Sequence, residues 1–438
     1  MLRRLSWNAM TPAEKAWLQQ RGSSTEIAGE LRTSIRSLVE DVRVRGDGAL
    51  IDALSSHDGV VVTADGLRVT DAEFATARSV IDDDLHGAIR LMIANIRAFN
   101  TELLARRGSW QTELSPGHVV GEKVGPVDSV AVFCPSGKAS YPSVLAQVAT
   151  PAVVAGVPQV SVIVPPVPGG AGEIDAAVLV VAHELGLRDV YRVNGPAGVA
   201  AAAFGTDTIP AHGMVVGPGS PPVALAQLEV RAHGVDSVVL GPTESLVVAD
   251  DSADVRLLAA DLLNEAEHGA DSTVVLVTSS ATLVDAVDIE LGDQAAALPD
   301  ERRLAAESAL GANGGAVLTD GLDESLDVAN WFAAEHCQLA VADPWVASEK
   351  IEHAGELLVG QGTPFSAGNF TLGGPAALPT GGFARRAGGI TVENFLKSAA
   401  IGSLSADALQ AVAAETIALA RHEGFPAHEN AITIRGVE

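Results

Sequence analysis

Cysteine is nearly absent from this chain. Cys134 and Cys337 are its two cysteines, far apart in sequence, which excludes a disulfide framework and any four-cysteine zinc module. Basic side chains are also scarce: 28 Lys and Arg face 55 Asp and Glu, a formal net charge of −27. Sequence-independent nucleic-acid binding and adhesion to an anionic membrane both need a basic face, so both are disfavoured. Small anions remain possible ligands, because loops and helix ends attract them locally. Long apolar runs are missing too. The longest, residues 144–164, is interrupted by Gln147, Pro151, Pro158 and Gln159, and so falls short of the ~20 uninterrupted apolar residues of a membrane span. Behind the basic start Arg3-Arg4 there is no apolar core of a signal peptide, and the expected location is the cytoplasm.

What remains is a 438-residue chain with 47% hydrophobic residues, enough for two or three domains with their own cores. Ile27, Leu31, Ile35, Leu38 and Val42 recur at three- and four-residue steps, and helical periodicity runs on through 82–104. From Ser129 the period changes. Short apolar strands are expected at 129–133, 160–164, 190–193, 214–216 and 237–240, with helices between them. A second cycle of strands follows at 246–249, 273–277, 316–318, 337–341 and 356–359. Short strands alternating with helices point to parallel sheets covered on both faces. The expected fold is therefore α/β, with two Rossmann-like domains, a helical N-terminal segment and a C-terminal tail. The expected division is 1–25; 26–130 with 242–388; 131–241; and 389–438.

Three stretches set histidine beside carboxylate. In Asn264-Glu265-Ala266-Glu267-His268, Glu265 and His268 stand three apart on one helical face, as a metal pair would; a solvated acid and a histidine complementing the helix dipole fit the spacing equally. Glu335-His336-Cys337 offers two general bases if a junction between elements turns both into one cleft, and Cys337 opens an apolar strand where inert cysteine is common. The third, Glu423 to His428, reads by itself as a turn with a polar histidine. Pro135-Ser136-Gly137-Lys138 lacks the upstream glycine of a P-loop, and no GxGxxG opens a helix after a strand. Gly217-Pro218-Gly219-Ser220-Pro221 has the form of a phosphate-approach loop or of a plain turn before a helix.

Taken in order, the loop at 132–142, Val190-Tyr191-Arg192-Val193, Gly241-Pro242-Thr243-Glu244, the 259–268 stretch, Ala334-Glu335-His336, Leu378-Pro379-Thr380-Gly381-Gly382 and Glu423…His428 resemble the histidinol dehydrogenase family along nearly the whole chain. The resemblance implies an NAD-dependent, four-electron oxidation of an alcohol through an aldehyde to a carboxylate, in a homodimer with one Zn2+ per site. The late histidine would come from the tail of the partner subunit. It implies His268 and His428 as metal ligands, with Glu265 and Asn369 where the family has Gln and Asp. That exchange still leaves one carboxylate, one amide and two imidazoles. It also implies Glu335 and His336 as the catalytic pair: His336 removes the hydroxyl proton, and Glu335 activates water against the aldehyde. Thr243 and Glu423 correspond to substrate contacts.

Other positions depart from the family. Ala376 replaces a substrate-holding histidine, and Arg386 replaces an aromatic residue, which suits a planar or tetrahedral anion. At the nucleotide, Phe133, beside Pro135, stands for Tyr, Ala197 for Gln and Ser220 for Asn. These changes point to a substrate without imidazole, such as a sulfopropanediol-like small diol, with histidinol as the other candidate. A metal-binding relative without redox activity, either a hydrolase or lyase or a ligand-binding relic, is the competing class.

Overall fold

The computed structural model describes residues 1–21, 29–136, 140–238 and 241–436. Ile27, Gly137, Lys138 and the expected strand end at 239–240 lie outside the described residues.

The first sheet is parallel, with strands in the spatial order Val190–Arg192, Gln159–Val164, Ser129–Phe133, Met214–Val216 and Asp236–Val238. Its two-residue alternation decides which side each residue packs on. Val130, Val132, Val162, Val164 and Val216 enter one core with helices Pro142–Ala155, Ala176–Glu184 and Asp83–Arg106. Ala131, Phe133, Ile163, Tyr191 and Val215 enter the other, with helices Gly29–Arg45, Asp47–Ala53, Gly195–Phe204 and Pro221–Arg231. The helices between 29 and 106 thus bury their apolar faces on this sheet, whereas the sequence grouped 26–130 with 242–388. Periodicity shows that a helix has an apolar face, but not which sheet will cover it.

The second sheet is also parallel: Arg4–Ser6, Gly315–Leu318, Thr273–Thr278, Glu244–Ala249, His336–Ala340 and Glu356–Val359. One face packs under helices Val255–Ala266, Ala281–Ala295 and Asp300–Glu307, the other under Leu322–Phe332 and Pro12–Gln20. The N-terminal segment therefore contributes an edge strand as well as a helix. Among the helices between its strands are the long Ala281–Ala295 and the short Pro344–Ser348. Both sheets reverse direction of growth at their centre, between Ser129–Phe133 and Met214–Val216 in one and between Glu244–Ala249 and His336–Ala340 in the other.

A third, antiparallel sheet joins Trp110–Ser115, His118–Pro126 and Leu396–Leu404, the last placing a strand in the C-terminal tail. Beyond it, helices Ala406–His422 and Pro426–Thr433 form an arm whose second helix buries no residue. No helix among the described residues is long and apolar enough to cross a membrane.

Candidate functional site

A cleft of about 720 Å3 opens between the two parallel sheets. On one wall stand the carboxyl ends of the first sheet's strands, with Phe133, Pro135, Asn194 and Ser220 lining the cleft. Gly217 makes that wall possible: its φ is +145°, and a Cβ there would lie 2.0 Å from the Phe133 carbonyl oxygen. Three helices begin at this wall, Pro142–Ala155, Gly195–Phe204 and Pro221–Arg231, each with proline in its first turn and no side-chain cap. Their leading N–H groups are not taken up by a capping side chain, as an anion site at a helix start requires. Phe133 is 2% exposed, its ring lying under Gly195 and Gly219, so it supports the floor of the cleft more than it offers a free stacking face. Ala197 is fully buried, and Ser220 caps no N–H of the helix it precedes.

The opposite wall is built from the amino ends of the second sheet's strands. Helix Leu322–Phe332 stops at Ala333, whose φ of 55° is left-handed, and the chain enters the strand at His336. After that tight junction both Glu335 and His336 line the cleft. Their side chains approach to 3.8 Å, between His336 Nε2 and Glu335 Oε1. Glu335 Oε2 accepts a hydrogen bond from the Glu244 backbone N–H at 2.9 Å. Glu244 itself is buried in an ion pair with Arg21, and its other oxygen accepts from the Gly381 N–H. Sequence reasoning missed this Arg21–Glu244 support, because its members are 223 residues apart.

Burial pushes the Glu335 carboxyl up to about 8, against the opposing influence of His336. Burial works the other way on His336, but the Glu356 hydrogen bond and the Glu265, Glu335 and Glu356 charges outweigh it and raise the imidazole to about 9. The two groups titrate as a coupled pair. Cys337 faces away into the core, where burial raises its thiol to about 12, and Cys134 is buried with its thiol raised equally. Neither is a nucleophile at neutral pH.

Helix Val255–Ala266 delivers Glu265, fully buried, to the same wall. His268 lies just beyond the end of that helix, not within it. Its Nδ1 lies 3.2 Å from the Glu265 carbonyl, and the residue lines the cleft. Asn369 donates through Nδ2 to Glu265 Oε1 at 3.1 Å, leaving its own amide oxygen free of that contact. Glu265 Oε2 is buried with no hydrogen-bond partner. An orphaned buried carboxylate oxygen is costly unless a cation or donor completes it. A carboxylate oxygen, an imidazole nitrogen and an amide oxygen are donors that zinc accepts, so these residues fit a divalent ion. No three His, Cys, Asp or Glu side chains cluster around one point among the described residues, since the third donor here is an amide.

Thr243 and Ala376 line the cleft, with the Ala376 N–H donating to Gln147 at 3.3 Å. Arg386 does not line it: the side chain is exposed, its guanidinium 5.3 Å from the Phe383 ring centroid. Glu423 and His428 are also exposed, on the C-terminal arm and outside the cleft of their own chain.

Two doubly wound sheets enclosing a cleft with a glycine-shaped backbone wall and a buried Glu–His wall define an α/β enzyme of the dehydrogenase kind. The histidinol dehydrogenase family profile matches residues 21–436. A histidinol dehydrogenase of a Synechococcus species is 38% identical over 436 residues, covering 99% of both chains. A histidinol dehydrogenase homolog of Colwellia psychrerythraea is 38% identical over 401 residues, 91% of this chain and 89% of the relative. The solved histidinol dehydrogenase of Elizabethkingia anophelis superposes with a TM-score of 0.92 at 28% identity, covering 99% of this chain and 98% of that one. The chain belongs to the histidinol dehydrogenase family, whose members carry out an NAD-dependent oxidation of an alcohol via an aldehyde to an acid.

Proposed function

We propose that this protein is a zinc-dependent, NAD-linked dehydrogenase that oxidises a primary alcohol through the aldehyde to the carboxylate, as a cytoplasmic homodimer. The observation that carries the reading is the gathering of Glu335, His336, Glu265, His268 and Asn369 on one wall of a cleft whose other wall is the switch point of a doubly wound sheet. Glu265, His268 and Asn369 hold the ion from this chain, and His428 comes from the arm of the partner subunit's copy, as Glu423 does for the substrate. The exposed Leu419, Phe425 and Ile434 on that arm favour burial against a second subunit. The uncapped helix starts and Phe133, Pro135 and Ser220 form the dinucleotide side.

When bound, the ion polarises the substrate hydroxyl and the nicotinamide accepts hydride. His336 takes the hydroxyl proton at Nε2 as the carbonyl forms. Glu335, steadied by the Glu244 N–H, takes a proton from the water that adds to the aldehyde carbon, and the hydrate then loses the second hydride. Thr243, which lines the same cleft, holds a substrate polar group.

With Ala376 where an imidazole contact would stand, the favoured substrate is a small diol without an imidazole, such as a sulfopropanediol, over histidinol. The exposed position of Arg386 in its own subunit leaves any anion contact to an assembled dimer. A panel of alcohols read by NADH absorbance tests this choice. Turnover of the small diol well above histidinol is expected, and efficient histidinol turnover overturns it. Metal analysis should find one divalent ion per chain, and calorimetric titration with NAD should give a saturable heat. A bound divalent ion without any heat from NAD would favour the non-redox relative.

A further inference from the structure

We propose that Glu356 is a positioning residue for His336: it holds the imidazole Nδ1–H, so that the Nε2 lone pair faces the cleft and the substrate hydroxyl. The inference rests on the dehydrogenase reading of the site and goes beyond it by adding a carboxylate that the sequence did not single out. His336 and Glu356 are register partners on adjacent parallel strands, so their side chains leave the sheet together on one face. Glu356 Oε2 stands 2.8 Å from His336 Nδ1, and both side chains are more than nine-tenths buried.

The surroundings leave the pair little freedom. Gly368 packs on the carboxylate so closely that a Cβ there would lie 2.8 Å from Glu356 Oε2. Phe365 meets the imidazole edge-on, with centroids 5.9 Å apart and planes at 84°. Glu356 Oε1 is buried without a hydrogen-bond partner. A carboxylate in such a place is costly to keep, and its one hydrogen-bonding neighbour here is the imidazole.

The charged groups facing His336 are Glu356 on the Nδ1 side, Glu335 on the Nε2 side at 3.8 Å, and Glu265 from the helix above. Once Nε2 has taken the hydroxyl proton, the imidazolium lies between two carboxylates. Glu356 compensates its charge and keeps its hydrogen bond. In this arrangement a carboxylate fixes which ring nitrogen is the base.

The test uses the full-length, metal-loaded protein and its Glu356→Gln, Glu356→Ala and Glu356→Asp variants, with His336→Gln locating the imidazole signal in 15N-edited NMR spectra. Above pH 9, where the imidazole is neutral, the His336 Nδ1 of the unsubstituted protein should carry the proton. Glu356→Ala should shift that signal toward a mixture of tautomers. Alcohol oxidation should lose 10- to 100-fold in kcat, with KM changed less than threefold and metal content unchanged. Glu356→Asp should recover part of the rate, and the isosteric Glu356→Gln, which folds most conservatively, should reproduce the loss. An unchanged His336 signal with an unchanged kcat overturns the proposal. So does a loss carried entirely by KM or by metal content. If the signal shifts as described while even the unsubstituted protein oxidises no alcohol, Glu356 positions His336 and the dehydrogenase reading is what falls.

Discussion

The two parallel sheets have the same winding and use opposite ends. The 129–238 sheet meets the cleft with the carboxyl ends of its strands, where crevices of doubly wound sheets bind ligands. The 244–359 sheet turns its amino ends to the cleft, and the chemistry sits there: Thr243 ahead of one strand, Glu335 and His336 at the start of the next. At its own carboxyl end Asp250 ties two strand ends together, its oxygens accepting from the Ala342 and Ser252 N–H groups. One architecture thus supplies a backbone surface suited to a dinucleotide in one copy and a rigid platform for buried ionisable groups in the other. A strand end that is fully buried can hold Glu335 and His336 at shifted protonation in a way a mobile loop cannot.

That contrast can be broken at several points. The largest effect is expected from Glu335→Gln, which should slow aldehyde oxidation by about 10²–10⁴-fold and alcohol oxidation far less. Single-turnover NADH formation from each substrate measures this, and equal losses would contradict the division of labour. On the opposite wall, Gly217→Ala forces a Cβ into the Phe133 carbonyl at positive φ and should cost about 3 kcal/mol in denaturant unfolding, with NAD affinity lost as well. Near-normal affinity would show that this turn does not shape the nucleotide side.

Removing the tie at the other end of this sheet is expected to be milder. Asp250→Ala should cost about 1 kcal/mol of stability with kcat/KM unchanged, because that end of the sheet takes no part in the reaction. A clear loss of catalysis would mean that both ends of the second sheet matter. A further effect concerns pH. Glu335 rises from 4.5 to about 8 and His336 from 6.5 to about 9 on folding, so both stabilise the metal-free protein fully below their unfolded values. That contribution is lost as pH rises through 8 and 9. The melting temperature of the metal-free protein should therefore fall between pH 6.5 and 9, less steeply in Glu335→Gln, and a rise over that range would refute the coupled pair.

Much of the site was legible before the fold. Glu335, His336, Glu265, His268 and Asn369 do meet on one wall, since motif order carries over when strand ends are preserved. Less legible were partners that meet only through sheet register or long closure. Glu356 lies 20 residues after His336, and Arg21 reaches Glu244 across 223 residues. The antiparallel sheet also escaped notice, because Trp110–Ser115 and Leu396–Leu404 are largely exposed and show no buried alternation. Arg386, Glu423 and His428 stand outside the cleft of their own chain, a matter of chain path that motif spacing does not encode.

By itself, the order of residues determined that valine-rich strands alternate with helices, that sheets are buried on both faces, and that histidine and carboxylate recur together. Those are local properties, set by side-chain period and composition. Which sheet the 29–106 helices cover, which strand end carries the chemistry, and which carboxylate holds His336 were decided only by the tertiary structure. Each depends on contacts between residues distant in sequence, and those contacts are selected by the packing of whole faces and not by any neighbouring pair.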